Sequence, residues 1–201
     1  MTDTQLTTAT RVVDGVEVPI VGTWKLDPSH SSLAFEARHV VITRMRGRFR
    51  RSSGVFHIAE RPEESSVEVT IDATSLDTTH DKADEHLRGP DYLDVATYPN
   101  LTFRSTSVRH IDGERWEVVG DLTIRDMTRP ITLDATFNGA LPVAYGPKAK
   151  LAFTATGRFD RRDYGMTQNY PLPGGGVIVG NEVTLTLDAE ADLLDEPSAG
   201  S

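Results

Sequence analysis

The chain contains no cysteine. Disulfide frameworks, thiolate metal sites, iron–sulfur clusters and cysteine nucleophiles are therefore excluded. No stretch approaches the ~18 consecutive apolar residues of a helical membrane span. The start, Met1-Thr2-Asp3-Thr4-Gln5-Leu6, lacks a basic region followed by an apolar run, which reads as a cytoplasmic protein without a signal peptide. Positive charge is in deficit: 21 Lys and Arg stand against 30 Asp and Glu, a formal net charge of -9. That balance repels nucleic acid, so no nucleic-acid partner is expected. There is no GxSxG elbow and no HExxH zinc pattern, and neither catalytic nor metal-ligating residues are assigned. Gly174-Gly175-Gly176 lies between strand patterns and opens no helix, so it lacks the terminus that binds phosphate. Internal repeats are also absent.

What is present, again and again, is strict alternation of apolar and polar residues. Leu33, Phe35, Ala37 and His39 share one face against Ser32, Ala34, Glu36 and Arg38. Met45, Gly47 and Phe49 oppose Arg44, Arg46, Arg48 and Arg50. Val67, Val69 and Ile71 form a third such face, and Leu101 and Phe103 open a fourth. Further runs follow at Val118–Ile124, Ile131–Phe137, Leu151–Phe159 and Val183–Ala189. One wet and one dry face per strand is the mark of antiparallel sheet. Short polar turns between successive runs imply up-and-down connectivity. About eight such strands can close on themselves, abolishing the edges. The predicted fold is therefore all-β, an extended antiparallel up-and-down barrel of lipocalin-like form.

One segment breaks the pattern. Residues 78–88 favour helix: a Thr start, acids in the first turns, Arg88 near the end and Gly89-Pro90 beyond. With Asp91–Val95 it is read as a short helical lid or plug. Residues 1–20 are expected to be a flexible extension, with Asp14-Gly15 as the turn of a small hairpin inside it. Residues 21–192 would form the barrel and 193–201 a disordered tail.

The motifs have an order. Trp24-Lys25-Leu26-Asp27-Pro28-Ser29-His30-Ser31 comes first, then Gly47-Arg48-Phe49, Asp84-Glu85-His86-Leu87-Arg88, Asp91-Tyr92-Leu93-Asp94 and Tyr98-Pro99. Gly120-Asp121-Leu122-Thr123-Ile124-Arg125, Thr128-Arg129-Pro130, Arg162-Asp163-Tyr164-Gly165 and Gly180-Asn181-Glu182-Val183 follow. Taken together they resemble the YceI-like proteins, described as polyisoprenoid-binding and lipocalin-like. Asp126-Met127 departs from the Gly-Val expected there, in a turn. The resemblance implies a barrel that carries a long-chain isoprenoid lipid, a polyprenyl chain or an isoprenoid quinone, with no cofactor beyond it. It also implies a homodimer.

Candidate ligand-lining residues are Phe35, Phe49, Leu87, Tyr92, Leu93, Phe103, Leu122, Phe137, Phe153, Phe159 and Tyr164. Alternation leaves two readings open, a tunnel or a core filled by side chains. The small inward residues Ala37, Gly47, Gly120, Ala135, Ala155 and Gly157 favour room inside. His30, His39, His86 and Arg162 are candidates for a polar head-group site, against a purely structural role. Arg162 is the candidate buried charge. His80 and Asp84, four apart, could share a helical face toward a metal, but nothing else supports one. The stripe Arg44, Arg46, Arg48, Arg50 and Arg51 reads as a solvated face paired to carboxylates, or as a transient membrane contact. An enzyme acting on lipid or quinone through His86 or His30, and a ligand-free interaction barrel, remain the alternatives.

Overall fold

A computed structural model of the chain describes residues 8–142 and 148–194. Two short strands come first, β1 (Thr10–Val13) and β2 (Val16–Pro19). Six follow before the helix: β3 (Gly22–Leu26), β4 (Ser32–His39), β5 (Thr43–Phe49), β6 (Ser52–Ile58), β7 (Ser66–Asp72) and β8 (Leu76–Asp77). The helix α1 (Asp81–Arg88) leads to the long strands β9 (Asn100–Asp112), β10 (Arg115–Ile124), β11 (Met127–Leu141), β12 (Lys150–Asp160) and β13 (Val179–Leu193).

Eight strands close an antiparallel barrel in the order β3, β6, β7, β9, β10, β11, β12, β13, with β13 returning to β3. Three of the eight are continued past a break. β3 and β4 lie end to end on one edge of β13, which pairs Leu26 with Ala191 and then Leu33 with Leu187. The break is Asp27–Ser31, where Pro28 has no N–H to give a ladder. Its polar groups are met locally: the Asp27 carboxylate accepts from Ser29 N at 2.9 Å, and Ser31 Oγ accepts from Glu190 N at 3.0 Å. The breaks β5/β6 and β7/β8 face each other. Arg50 N and Arg51 N donate to Ser75 O and Ser75 Oγ, while Asp72 caps the turn by accepting from Thr74 N.

β8 ends after two residues, and α1 with the turns after it continues the wall there. The helix is eight residues long, too short to stand alone in water. Leu87 holds it to the barrel interior. The expected Thr start is not a cap, for His80 occupies that position without a side-chain bond. Instead buried Asp84 reaches back to accept from Thr78 N at 2.7 Å and Thr78 Oγ1 at 2.6 Å. That use also removes Asp84 from any metal site with His80.

The expectation of a free extension to residue 20 needs correction. β1 and β2 pair from Thr10↔Pro19 to Val13↔Val16 around Asp14 (φ 50°) and Gly15 (φ 83°), the left-handed pair a two-residue turn requires. The hairpin's valines pay for its order: Val18 is buried, and with Ala9 it packs on Trp24, Trp116, Phe137 and Leu151 at one end of the barrel. Arg11 pins it, donating to Pro19 O at 3.2 Å and Ala59 O at 2.6 Å. Residues 1–7 and 195–201 lie outside the described residues, so the expectations for them stay as stated.

Candidate functional site

Inside the barrel lie two cavities that share Leu33 and Leu187 in their walls. Chamber 1, of about 160 Å³, lies toward the β1–β2 hairpin, whose Val18 and Pro19 border it. Chamber 2, of about 100 Å³, lies toward α1. Engineered apolar cavities of ~150 Å³ stay dry and admit a benzene-sized guest. Chamber 1 reaches that size, and chamber 2 is about two thirds of it.

The period of two places the lining. Of the sequence candidates, Phe103, Phe137 and Phe153 face chamber 1. Phe35, Phe49, Leu87, Tyr92, Leu93, Leu122 and Phe159 face chamber 2. Tyr164 faces neither. It is buried against Phe159 with ring centroids 5.1 Å apart, its hydroxyl unpartnered and pushed up to about 12 by burial. Sequence reasoning missed Phe56, Trp116 and Leu133 in chamber 1 and Met45, Leu185 and Arg161 in chamber 2. Met45, Leu133 and Leu185 stand on faces already read as dry, without having been singled out as lining, and Trp116 continues the face of Val118–Ile124. Phe56 alternates with Gly54 and Ile58, but Gly54 hid the strand.

The glycines act differently from the expectation that they leave space. A Cβ on Gly47 would stand 2.4 Å from the Phe35 ring directly opposite it, and one on Gly120 would stand 2.4 Å from the Phe103 ring. A Cβ on Gly157 would stand 2.5 Å from Leu133. The space is occupied by neighbours lying over the bare backbone. What the glycines do is let Phe35 and Phe103 lie against the wall instead of crossing the interior. Ala37, Ala135 and Ala155 line the chambers directly.

The four head-group candidates stand outside both chambers. His39 is half-buried at the end of β4, and His86 is exposed with its ring 5.0 Å from Tyr92. His30 is exposed at the β3/β4 break, with Nδ1 2.7 Å from Asp27 Oδ2. That hydrogen bond raises the imidazole pKa and lowers Asp27 to about 2. Asp27, His30 and Glu190 could together ligate a cation. The Lys150 ammonium already lies there, 2.8 Å from Glu190 and 2.7 Å from Asp192.

Arg162 is exposed and forks onto Asp160 at 2.6 and 2.9 Å. The buried charge is its neighbour Arg161, 2% exposed. The 3-10 turn Arg161–Tyr164 ends the strand alternation and swings Arg161 inward. Its guanidinium donates to Gly180 O and Gln168 O at 3.1 Å, to Asn181 Oδ1 at 3.3 Å, to Val179 O at 3.5 Å and to Met166 O. A guanidinium has five N–H donors, and here each nitrogen is engaged. Three of the acceptors come from Val179–Asn181, where β13 bulges against β4, with Val183 paired to Ala37 but Val179 to His39, and two from Met166 and Gln168 in the loop before β13. Tyr92 stacks on the cation at 5.7 Å. Arg161 therefore latches the barrel end and has no N–H left for a ligand.

Outside, the arginine stripe is paired as read. Arg44 and Arg46 share Glu36, Arg48 and Arg50 share Asp77, and Arg51 meets Asp72 at 2.9 Å. Among the described residues no helix is long and apolar enough to cross a membrane.

Comparison with known proteins agrees with this architecture. The chain is 36% identical over 148 residues to the Escherichia coli protein YceI, spanning 72% of this chain and 76% of that one. Burkholderia cenocepacia BcnA superposes with a TM-score of 0.68 at 21% identity, over 82% of this chain and 98% of BcnA. A Saccharophagus degradans domain, described as polyisoprenoid binding and implicated in plant cell wall breakdown, superposes with a TM-score of 0.62 at 16% identity, over 87% and 100%. The YceI-like domain family model matches residues 24–191. The chain therefore belongs to the YceI-like family.

Proposed function

We propose that the barrel binds and carries a long-chain isoprenoid lipid, a polyprenyl chain or the tail of an isoprenoid quinone, and performs no chemistry on it. One observation carries this reading. Two adjoining chambers are walled mainly by apolar side chains, the serines and exposed Asp188 only bordering chamber 1, and the buried charge at chamber 2, Arg161, is saturated by protein acceptors. Such a site suits a ligand that is apolar along its length. Each buried methylene is worth up to roughly 0.8 kcal/mol. About ten enclosed carbons would supply up to about 8 kcal/mol, the free energy of a micromolar complex, before ordering costs are subtracted. The polyisoprenoid-binding description of the Saccharophagus domain supports the same class of ligand. Enzymatic use of His30 or His86 gains no support, because neither side chain reaches a chamber.

A long tail that occupies both chambers passes Leu33 and Leu187, which line both. The test is extraction of the purified protein with organic solvent and mass spectrometry of the extract, followed by titration with polyprenyl lipids and quinones. A co-purifying isoprenoid or saturable binding is expected. A clean extract together with no binding of either lipid class would overturn the proposal.

A further inference from the structure

The barrel end beyond chamber 2 carries an apolar tip that neither the core nor the chambers use. The β4–β5 turn is Val40-Val41-Ile42, with Val41 52% and Ile42 82% exposed. Val40 and Val41 have φ of 45° and 69°. β-Branched residues rarely adopt this left-handed backbone, and Asn or Gly would hold it at lower cost. The turn thus keeps apolar side chains in solvent at the expense of backbone strain.

The loop from Gly165 to Ile178 lies beside it. Val40 N donates to Ile178 O at 2.7 Å, and Ile178 N to Tyr170 O at 3.0 Å, so the two segments are tied together. Tyr170 is 52% exposed and Val177 37%. Between Gly165 and Asn181 the sequence has no charged residue. On the strands that carry the tip the charge reverses the sign of the whole protein. Arg38, Arg44 and Arg46 are exposed there, and Glu36 is the carboxylate that Arg44 and Arg46 share. Asp91, just beyond α1, and Tyr170 both lie within electrostatic reach of Tyr92, so an acidic group borders this end beside the arginines.

We propose that this tip docks the barrel onto an anionic lipid bilayer. Val41, Ile42, Tyr170 and Val177 are exposed on two segments that are bonded to each other, and an exposed apolar tip inserts among lipids without needing a complementary groove. Valine and isoleucine would enter the acyl boundary, Tyr170 would sit at the headgroup level, and the arginines would meet lipid phosphates. Chamber 2 lies directly below: Ala37, Met45 and Val179 line it within a few residues of the tip. Docked this way, the barrel presents its chamber 2 end to the leaflet that holds long-chain lipids. The purpose of the docking rests on the isoprenoid reading, but its test does not.

The experiment is flotation of the delipidated protein with phosphatidylcholine vesicles, with and without phosphatidylglycerol. The parent is expected to float with the phosphatidylglycerol vesicles, less so in high salt. Ile42→Asp should weaken binding about tenfold or more. Val41→Asn is the sharper variant. It relieves the left-handed strain, so it should melt above the parent while binding vesicles less. Absence of parent binding, or binding unchanged by both substitutions, overturns the proposal. Either result would leave solvent extraction of a bound isoprenoid free to succeed, so the two proposals fail separately.

Discussion

Replacing Gly47 by alanine tests how the interior is kept open. The added Cβ would stand 2.4 Å from Cζ of Phe35 and 2.7 Å from its Cε1. An ordinary carbon contact is about 3.6 Å, so the ring must retreat by about 1.2 Å. The other close neighbour is the Thr78 methyl, at 3.0 Å. The three nearest atoms all belong to side chains, so the ring can move while the strand stays. The free direction is chamber 2, which Phe35 already borders and which measures about 100 Å³. A ring displaced that far excludes one to two ligand carbons. At roughly 0.8 kcal/mol per carbon this costs about 0.8–1.6 kcal/mol, or about 4- to 15-fold in Kd. Overpacking costs ~1 kcal/mol or more in stability, and loss of glycine's unfolded-state freedom offsets part of it. Binding should therefore suffer more than folding. The assay is titration with an isoprenoid quinone, beside chemical denaturation of the same variant. Phe35→Leu in the Gly47→Ala background should restore binding, because it removes the displaced ring. Wild-type affinity in the single variant, or no recovery in the double, would refute the role given to this glycine.

Three further outcomes are expected. Arg161→Leu leaves its carbonyl acceptors at the barrel end without donors, and should cost about 3 kcal/mol or more. Arg162→Leu breaks only an exposed pair and should cost less than ~1 kcal/mol; equal midpoints in guanidinium would contradict the assignment of the buried charge. Arg11→Ala releases the β1–β2 hairpin from Pro19 O and Ala59 O; it should speed amide exchange over residues 10–19 roughly tenfold and change the fluorescence of Trp24 and Trp116, with unchanged protection counting against the latch. The Asp27–His30 pair gives opposite pH slopes. His30 has its pKa raised above 6.5 by its Asp27 hydrogen bond, so its stabilisation is complete below pH 6.5 and is lost as pH rises through the raised value. Asp27, held at about 2 against 3.8 by His30 first, stabilises above pH 3.8 and loses this as pH falls toward 2. Asp27→Asn should return the His30 titration, followed by NMR, toward 6.5; an unmoved midpoint would exclude the pair.

Local chemistry was legible in the sequence. Alternation at Leu33–His39 or Ile131–Phe137 admits one dry face only, because side chains on a strand point to opposite sides. Asp14-Gly15 announced its turn, because few residues tolerate two left-handed positions in succession. Asp81–Arg88 stood out as the segment without a period of two. The chain therefore specified by itself an antiparallel barrel with an apolar interior and one helical insertion.

Tertiary structure decided whatever depends on partners distant in the chain. Whether Arg161 or Arg162 is buried turns on a four-residue 3-10 turn and on carbonyls released by a bulge near residue 180, and strand periodicity carries neither. Glycines 47 and 120 read as space, yet each is covered by a phenylalanine from a neighbouring strand. The histidines read as a head-group site fell outside the chambers because the sites they occupy, a strand break, a strand end and an exposed helix face, lie beyond the reach of alternation. The hairpin at residues 10–19 packs through Val18 on Trp24 and Trp116, which strands distant in the chain bring to one barrel end. An apolar interior is thus a property of each strand taken singly. Two open chambers are a property of how eight of them meet, because an empty volume exists only between side chains that approach from different strands and stop short of one another.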